Sequence, residues 1–383
     1  MQRTEVIVVG LGAMGSATCF QLAARGVPVI GIDQYPPPHP WGSTHGETRI
    51  TRLAIGEGRE YVPLVRRSHE IWPQLGEGLI TRAGFLVIGD RSGGFLRQTR
   101  EVAHEHEIEH EDLDADELRA RFPMWAVGER TEAFYEPGAG YLRPELAVST
   151  QLSLARSHGA SLRLGERVLG WEAPAAGGVR VRTGSDLYEA DQLVLCAGAW
   201  IGDLFPEGRD LFAIYRQLII WFPIREGYPQ LRDMPTYVVD LGGEPGEFTH
   251  LHCIYGFPAI DGPDGGVKLG AETYEQTVQP DGRQHPATTA EAARVYENCV
   301  APHLPWLGRE PVRSASCLYT CTRDSRFLID RHPEHEAVLI VSPCSGHGFK
   351  HSPAIGEAVA QWVSGHHPDI DLSAFSLAQA LRT

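Results

Sequence analysis

Three glycines near the start of the chain, followed by an aspartate, have the spacing of a dinucleotide-binding turn. Gly10, Gly12 and Gly15 form the pattern GLGAMG, and Asp33 ends the next apolar segment. In such a pattern the first glycine permits a tight turn, the second lets the backbone approach a pyrophosphate, and the third lets a helix pack closely on a strand. An aspartate at this offset accepts hydrogen bonds from an unphosphorylated ribose, which favours FAD or NAD as the ligand.

A strand, a helix and a second strand are predicted around these residues. The apolar run Val6 to Val9 predicts a strand that is buried on both faces, as in a parallel sheet. A helix is predicted over Ser16 to Arg25 and a strand over Val27 to Asp33. Phosphates in front of the glycine turn would lie at the N-terminus of this helix, where free N–H groups and the helix dipole favour negative charge.

Two later segments favour FAD over NAD. Leu193 to Cys196 predict a buried strand followed by small residues, including Gly198, where the backbone would pass close to a cofactor. Val338 to Val341 predict a further strand, which is followed by a glycine-rich turn and by a helix that begins at Ser352 and ends at Gly365. A nucleotide fold that begins near the N-terminus and returns near the C-terminus is typical of FAD enzymes.

Two arginines and a lysine could bind an acid group. Arg49 and Arg52 lie in ETRITRL, whose alternating pattern predicts a strand or a loop, and Lys350 lies in SGHGFK. A guanidinium offers a planar fork that binds a carboxylate through two hydrogen bonds, whereas an ammonium is a point charge. The alternative interpretation is that both arginines are solvated surface residues.

A second lysine is predicted inside a strand. In GVKLG, Lys268 would project from the sheet face opposite to that of Val267 and Leu269. A lysine that points inward costs free energy unless its charge is used. On a solvated sheet edge, the same pattern would instead protect the edge from pairing with other strands.

Four segments of the chain resemble the monomeric sarcosine oxidase and N-methyltryptophan oxidase family, within the wider glycine-oxidase and D-amino-acid-oxidase superfamily. They are TRITRLAIGEGREYVPL, KLG, CLYTCTRDSRFLIDRHPEHEAVLIV and SGHGFK, and the similarity extends from Val6 to about Phe375. The resemblance implies an α/β plus α+β fold, in which a Rossmann-like FAD-binding domain is joined to a second, antiparallel-sheet substrate domain of the D-amino-acid-oxidase type.

The expected FAD-binding domain is discontinuous in the sequence. It consists of residues 1–83, 142–215 and 317–383, and the substrate domain consists of residues 84–141 and 216–316. A chain of 383 residues is too long for one ordinary core, which also favours two domains. The strands predicted for the substrate domain are Phe85 to Ile88, Leu218 to Phe222 and His250 to Tyr255.

The resemblance also implies how the cofactor is held. In the family, FAD is bound covalently through a cysteine thioether at the 8α carbon of the flavin, and the matching residue is Cys317. A single cysteine is otherwise most often a small buried hydrophobe, which is our interpretation of Cys321 and Cys344. The predicted FAD-binding residues are Gly10, Gly12, Gly15, Asp33, Ser43, His45, Arg49, Gly198, Cys317, Gly346, His347, Gly348 and Lys350.

The substrate side of the site is assigned from the same resemblance. Arg52 and Lys350 match the residues that hold the carboxylate of an amino-acid substrate, and Arg49 matches an arginine beside the flavin. Lys268 matches a lysine that stabilises superoxide when reduced flavin reacts with O2. The resemblance therefore predicts two cations, Arg52 and Lys350, that bind the substrate carboxylate, and a separate cation, Lys268, for oxygen activation.

Three further residues are predicted around the substrate. Tyr255 and Tyr319 match tyrosines of the family's substrate cavity, although both could be core aromatics with satisfied hydroxyls. Glu272 departs from the family pattern, because the sarcosine-oxidising members usually have a histidine there. A carboxylate in that place favours a protonated amine, which opposes hydride loss unless burial raises the pKa of Glu272. It could instead receive a basic or bulky group of a larger substrate.

The implied reaction is the oxidation of a secondary amino acid, sarcosine or another N-methyl amino acid. Hydride transfer to FAD would give an imine, which water hydrolyses to formaldehyde and the primary amine, and O2 would be reduced to H2O2. Three alternatives remain: an oxidase of cyclic imino acids or glycated amino acids, a dehydrogenase that passes electrons to a carrier, and a non-catalytic FAD-binding protein.

Composition and charge limit the other classes of function. The net charge of −15 argues against a nucleic-acid partner. The seven cysteines contain no CxxC pair, and no spacing among the seventeen histidines predicts a metal site. No apolar run has the length of a membrane span and no signal peptide is recognised, so a cytoplasmic enzyme that acts as a monomer on a small molecule and O2 is expected.

Overall fold

The computed structural model describes residues 2–225, 231, 234–242, 253–274, 276–282 and 285–382. In these residues the strands are β1 (Gln2–Val9), β2 (Val29–Asp33), β3 (Arg49–Thr51), β4 (Ile80–Arg82), β5 (Phe85–Asp90), β6 (Glu111–Leu113), β7 (Thr131–Glu136), β8 (Gly140–Leu142), β9 (Ser161–Leu164), β10 (Val168–Glu172), β11 (Val179–Thr183), β12 (Leu187–Leu195), β13 (Phe212–Phe222), β14 (Thr236–Asp240), β15 (Cys253–Gly256), β16 (Val267–Ala271), β17 (Arg313–Thr322), β18 (Leu328–Arg331) and β19 (Val338–Ser342). The helices are α1 (Ala13–Ala24), α2 (Val62–Leu75), α3 (Gly94–Glu105), α4 (Ala115–Arg121), α5 (Pro144–Ser157), α6 (Ile201–Leu204), α7 (Thr289–Val295), α8 (Ser352–Val363) and α9 (Leu377–Ala380).

The first sheet has the predicted strand β1 at its centre. Its main order is β10-β11-β12-β1-β2-β9, and β19 adds to β12 and carries β18. β1 pairs in parallel with both β2 and β12. Val6 and Val8 pack into one apolar cluster with α1, α5 and α8, while Ile7 and Val9 pack into another on the opposite face. A continuous apolar run is what a strand covered on both faces requires.

Helix α1 begins three residues earlier than predicted, at Ala13 rather than Ser16. Gly15 therefore lies in the first turn of the helix, where a Cβ atom would stand 1.7 Å from the carbonyl oxygen of Gly10. The helix can approach the strand this closely only without a side chain at that position. The last part of the glycine pattern is thus helical.

The second sheet has the order β17-β13-β16-β15-β14-β5-β7-β6. Neighbouring strands are antiparallel except for β5 and β14, which pair in parallel. Its apolar face includes Ile220, Ile254 and Leu269, which belong to one buried cluster. The predicted strands Phe85 to Ile88 and Leu218 to Phe222 lie within β5 and β13 of this sheet. The predicted strand His250 to Tyr255 is observed as β15, and residues 250–252 lie outside the described residues.

The third sheet is small and connects the two large ones along the chain. It has the order β3-β8-β4, and β3 is Arg49–Thr51, so the middle of ETRITRL is a strand and Arg52 follows it. The predicted domain boundaries after residues 215 and 316 fall within β13 and β17, which pair along their whole length. A division by sheet would place both strands, and with them Cys317, in the second unit.

Among the described residues, no helix combines the length and the apolar character that a membrane span needs.

Candidate active site

A cavity of about 920 Å³ is lined by residues of both large sheets. Most of the residues predicted from the sequence contribute to its wall: Gly10, Gly12, Asp33, Ser43, Arg49, Arg52, Gly198, Tyr255, Glu272, Tyr319, Gly346, His347, Gly348 and Lys350. Among the described residues, the other predicted members are buried but not part of this lining: Gly15, His45, Lys268 and Cys317. Folding therefore brings segments from both ends of the chain to one cavity.

The end of the cavity near β1 and β2 has the features of a dinucleotide site. Gly10 has a φ of +86°, and a Cβ atom there would lie 2.3 Å from the carbonyl oxygen of Cys196. The Asp33 carboxylate accepts hydrogen bonds from the backbone N–H of Leu11 at 2.7 Å and of Tyr35 at 2.9 Å. Burial raises the pKa of Asp33, and these N–H groups act in the opposite direction. The carboxylate is thus held by the glycine turn itself.

Arg52 and Lys350 form a pair of buried cations that share one carboxylate. Arg52 donates hydrogen bonds to Glu57 and, at 3.0 Å, to the carbonyl of Ala54, and it is 3% exposed. The Lys350 ammonium lies 3.9 Å from Glu57 and donates to the carbonyl of His347 at 2.9 Å. We call Arg52, Lys350 and Glu57 the cation clamp. Its cations converge from distant parts of the chain onto one carboxylate at the cavity wall.

The charges of the clamp determine its pKa shifts. Burial alone would raise the pKa of Glu57, but Arg52 and Lys350 hold it well below its ordinary value. Burial lowers the pKa of Lys350 to about 8, although Glu57 acts in the opposite direction. Glu57 is therefore ionised at neutral pH, and the ammonium loses its proton at a much lower pH than a solvated lysine does.

Glu57 was not predicted from the sequence, although it lies within a segment that carries the family resemblance. Its signal is its position five residues after Arg52, in a stretch that also contains Gly56 and Gly58. An acid that close to a buried arginine is a natural partner for its charge. Only the folded structure shows that Glu57 also lies beside Lys350, a residue from the other end of the chain, and so pairs with two cations.

Arg52 is oriented by aromatic rings and by a second buried acid. Its guanidinium lies 4.8 Å from the ring centre of Phe85 and 5.4 Å from that of Phe95. The Glu136 carboxylate accepts hydrogen bonds from the N–H groups of Leu53 at 2.8 Å and Ala54 at 3.0 Å. These contacts hold the backbone just after β3, so the guanidinium keeps its direction toward the cavity.

The turn between β19 and α8 brings Lys350 to the clamp. A Cβ atom on Gly348 would lie 1.6 Å from the carbonyl oxygen of Pro343, and one on Gly346 would lie 2.7 Å from the ring of Tyr319. Gly346 also has a φ of +84°, a conformation that favours glycine. The close contacts, with a backbone oxygen at Gly348 and with a tyrosine ring at Gly346, explain why both positions are glycine.

Tyr255, Tyr319 and Glu272 form a polar part of the wall. The hydroxyl oxygens of Tyr255 and Tyr319 lie 3.4 Å apart, so the two rings meet at the cavity. Glu272 accepts a hydrogen bond from the Tyr274 hydroxyl at 3.1 Å. Burial raises the pKa of Glu272, and this hydrogen bond acts in the opposite direction. Glu272 therefore favours its neutral form more than an exposed glutamate does.

Lys268 projects from β16 away from Val267 and Leu269, as predicted, since those two side chains lie in the apolar cluster of the second sheet. Its ammonium donates to the carbonyls of Gly46 at 2.6 Å and Thr48 at 2.9 Å. Burial lowers its pKa well below the ordinary value, and Arg49 adds to this effect. The carbonyls thus compensate an otherwise costly buried cation.

The loop around the Lys268 ammonium contains Ser43, His45 and Arg49. The Arg49 guanidinium donates to the carbonyls of Thr48 at 2.7 Å and Ser43 at 2.6 Å, and the Ser43 hydroxyl donates to the carbonyl of Leu318. Burial lowers the pKa of His45 to about 4, and Arg49 adds to this effect. The loop is therefore tied to β17 next to Cys317.

Cys317 and Cys344 lie near this loop, but only Cys344 of the two lines the cavity. Cys317 is 2% exposed on β17; burial raises the pKa of its thiol, while Arg49 and Lys268 act in the opposite direction. Cys344, interpreted from the sequence as a packing residue, lines the cavity, and its sulfur lies 3.4 Å from the backbone nitrogen of Thr320. Cys196 and Cys253 line the cavity as well, whereas Cys317, the predicted tether, is buried beside it.

A family model described as FAD dependent oxidoreductase matches residues 5–362. The chain belongs to this family of FAD-dependent oxidoreductases. Over 372 residues it is 38% identical to a monomeric sarcosine oxidase of Streptomyces avermitilis, with 93% of this chain and 92% of the relative covered. Over 380 residues it is 34% identical to an N-methyl-L-tryptophan oxidase of Yersinia pestis, with 98% and 99% covered.

The fold of the chain is also similar to that of a solved flavoenzyme structure. A solved structure of NikD, described as an unusual amino acid oxidase, matches with a TM-score of 0.83 at 24% identity and covers 98% of both chains. The predicted resemblance and fold class are confirmed by these matches. The residues at the first sheet fit the family's cofactor: a glycine turn without room for side chains, a helix N-terminus and a buried aspartate face one end of the cavity.

Proposed function

We propose that the protein is an FAD-dependent oxidase of secondary amino acids, with an N-methyl amino acid as substrate and O2 as electron acceptor. The observation that carries the proposal is the cation clamp at the wall of the cavity whose other end has the dinucleotide features. The names of the relatives, monomeric sarcosine oxidase and N-methyl-L-tryptophan oxidase, support an N-methylated substrate. The name of the first relative also supports a monomer.

The clamp would bind the carboxylate of the substrate. Arg52 offers its planar fork and Lys350 a point charge, and both are buried, so each contact with an anion is stronger than at the surface. A substrate carboxylate would share these cations with Glu57 or displace it. Binding at this place orients the rest of the amino acid toward Tyr255, Tyr319 and Glu272.

When bound, FAD supplies the acceptor for a hydride from the carbon next to the substrate amine and passes the electrons on to O2, forming H2O2. The resulting imine is hydrolysed by water to formaldehyde and a primary amine when an N-methyl group was oxidised. The chain itself contributes binding and orientation. Gly10, Gly12 and Asp33 would hold the nucleotide, and the turn Gly346–Gly348 would contact the flavin end.

Glu272 would favour oxidation by remaining uncharged. An ionised carboxylate beside the amine would hold the amine in its protonated form, which cannot lose a hydride. Since burial raises the pKa of Glu272, its neutral form is favoured and that effect is weakened. The acid hydrogen could then be donated to a polar group of the substrate.

Cys317 and Lys268 would act on the flavin side. We assign the covalent thioether to Cys317, supported by the sequence match and by the neighbouring cations Arg49 and Lys268, which favour a thiolate. Lys268 would stabilise the superoxide that forms when O2 is reduced. Replacement of Lys268 by Met should leave anaerobic flavin reduction unchanged and slow the reaction with O2; equal losses in both steps would remove this role.

The proposed function is tested with a panel of amines. Anaerobic addition of sarcosine or N-methyl-L-tryptophan should bleach the flavin absorbance, and aerobic turnover should release formaldehyde and H2O2 in equal amounts. The methyl ester of the same substrate is the control, because it lacks the charge that the clamp binds.

Other outcomes separate the remaining functions. Bleaching by a cyclic imino acid or a glycated amino acid without formaldehyde would indicate those substrates instead. Reduction without H2O2 would indicate a dehydrogenase, and no bleaching by any secondary amino acid would contradict the proposal.

A further inference from the structure

Two histidines and an aspartate meet on the second sheet, outside the cavity lining. His104 lies in the last turn of α3, His110 lies in the segment that follows, and Asp112 lies in β6. One ligand atom of each residue lies within 4.8 Å of those of the other two. Their spacing in the sequence predicted no metal site, because the turn after α3 brings them together only in the folded chain.

His110 is held in a fixed orientation. Its Nδ1 atom lies 2.7 Å from the carbonyl oxygen of Ile108, and its ring stacks on Phe134 with the ring centres 5.0 Å apart. A carbonyl accepts hydrogen bonds only, so Nδ1 carries the proton and Nε2 carries the lone pair. A backbone carbonyl bound to the second nitrogen is the usual support of a histidine that ligates a metal.

The other two residues face His110 from the helix and from the strand. The ring centre of His104 lies 4.8 Å from that of His110, with the planes nearly perpendicular. One oxygen of Asp112 accepts a hydrogen bond from Arg100 at 2.6 Å, which holds the carboxylate; the second oxygen has no hydrogen bond to any of the described residues. Arg100 also pairs with Glu132 at 2.7 Å, so its charge is shared between two acids.

The distances are close to those of a bound ion. An ion at the centre of a triangle with sides of 4.8 Å lies about 2.8 Å from each corner. Zn²⁺ lies about 2.0–2.1 Å from histidine nitrogen, so each ligand atom would move inward by less than about 1 Å. His104 and Asp112 are exposed, and a shift of this size would turn the Asp112 carboxylate relative to Arg100, which holds one of its oxygens.

The local segment is acidic. Residues 104–112 contain no lysine or arginine, and their acidic side chains are Glu105, Glu107, Glu109, Glu111 and Asp112. Arginines from other segments pair with Glu105, Glu111 and Asp112, so a bound cation would share these acids with Arg59, Arg121 and Arg100. Two imidazoles and one carboxylate are suited to Zn²⁺, whereas Ca²⁺ and Mg²⁺ take mainly oxygen ligands. Water would complete the coordination at this exposed place.

We propose that His104, His110 and Asp112 form a Zn²⁺ site that joins the end of α3 to the edge strand β6 of the second sheet. The N-terminal half of α3 carries Phe95, whose ring lies beside the guanidinium of Arg52. An ion at the other end of the helix would restrain its position against the sheet. The site is structural and takes no part in the oxidation.

The proposal is tested by titrating tag-free, metal-stripped protein with Zn²⁺ near neutral pH in a calorimeter. One ion should bind per chain with a dissociation constant in the micromolar range, and His104→Ala and His110→Ala should each weaken binding by at least about tenfold. Co²⁺ should give visible absorption bands of a histidine-ligated ion. His366→Ala is the matched control, because His366 is an exposed histidine far along the chain, and should bind as the wild type does.

His104→Gln provides a second test that keeps the size and polarity of an exposed helix residue. It should also lose at least about tenfold in affinity. The proposal is overturned if the wild type binds no Zn²⁺ up to about 1 mM. It is equally overturned if binding is unchanged in His110→Ala or His104→Gln, since the ion would then lie elsewhere.

Discussion

At the scale of single residues, the site is distinguished by buried cations whose charges are compensated in different ways. Lys268 is surrounded by backbone carbonyls, whereas Arg52 and Lys350 share the carboxylate of Glu57. A buried charge is stable only when it is paired or hydrogen-bonded. If the clamp binds the substrate carboxylate as proposed, that carboxylate would meet two cations that are already buried and hydrogen-bonded.

Replacing Arg52 by Ala should weaken the binding of simple carboxylate inhibitors by about 100-fold or more, since the loss of a buried charge-assisted contact costs about 3 kcal/mol. Arg52→Lys should retain part of the affinity, because it keeps the charge but not the fork. Binding is measured from the change in flavin absorbance. Arg3→Ala, an exposed arginine, is the control; equal binding in Arg52→Ala and wild type would place the carboxylate elsewhere.

The two cysteines can be separated by one experiment. After denaturation in acid, flavin should stay with the precipitated wild-type protein and with Cys344→Ser, and it should be released from Cys317→Ser. Mass spectrometry of the flavin-bearing peptide identifies the attached residue. Retention in Cys317→Ser together with release in Cys344→Ser would move the tether to Cys344.

The low pKa of Lys350 predicts a pH dependence of inhibitor binding. The ammonium is charged below its pKa of about 8, so carboxylate binding should be strong there and should weaken as the pH rises through that value. Over the same range Glu57 stays ionised and His347, with a pKa of about 4, stays neutral. Lys350→Met should bind weakly at every pH; a variant that kept the wild-type profile would assign the titration to another group.

At the scale of elements, the turn between β19 and α8 determines where Lys350 lies. Gly348 begins the short 3-10 helix Phe349–His351, which continues into α8. The end of β19 and the start of α8 are buried, and the turn between them lines the cavity, with Gly348 packed against the backbone of Pro343. The position of the Lys350 ammonium depends on this backbone packing more than on its own side chain.

Gly348→Ala should therefore destabilise the protein by about 2 kcal/mol or more, because the added Cβ would lie 1.6 Å from a backbone oxygen. It should also weaken carboxylate binding by displacing Lys350. Gly184→Ala is the matched control, since a Cβ there meets nothing within 4 Å. The melting temperature and inhibitor titrations measure both effects; equal stability of the two variants would contradict the close contact.

At the scale of the whole molecule, the cavity is lined by residues of two large sheets, and each sheet is built from strands that are far apart in the sequence. The first sheet supplies the glycine turn and Asp33, and the second supplies Tyr255, Glu272 and Tyr319. A ligand that fills the cavity contacts both sheets. Its binding should therefore stabilise the molecule as a unit.

Flavin-free protein prepared from Cys317→Ser should melt several degrees below the same variant saturated with FAD, because a ligand that binds only the folded state stabilises it. FMN, which lacks the adenosine half, should stabilise it less, since it leaves the Gly10 and Asp33 end unfilled. Differential scanning calorimetry measures the shift. Equal stabilisation by FAD and FMN would contradict the assignment of the dinucleotide end.

Local sequence predicted the elements whose residues are contiguous. The strand from Val6 to Val9, the glycine turn and Asp33 were all found, because a strand, a turn and a helix in succession are governed by short-range sterics and burial. The start of α1 was placed three residues late, since the helix begins inside the glycine pattern itself. The parallel pairing of β5 with β14 was not predicted, because it joins strands far apart in the chain.

The sequence by itself indicated the nucleotide-binding turn, the buried strands and, through the family resemblance, several residues that line the cavity, among them Arg52, Lys350 and Tyr255. Only the tertiary structure decided that Glu57 lies between Arg52 and Lys350, that Cys344 reaches the cavity, and that His104, His110 and Asp112 come together. The physical reason is that these contacts depend on how distant or oppositely running segments pack. Such packing is a property of the whole chain, which no local pattern specifies.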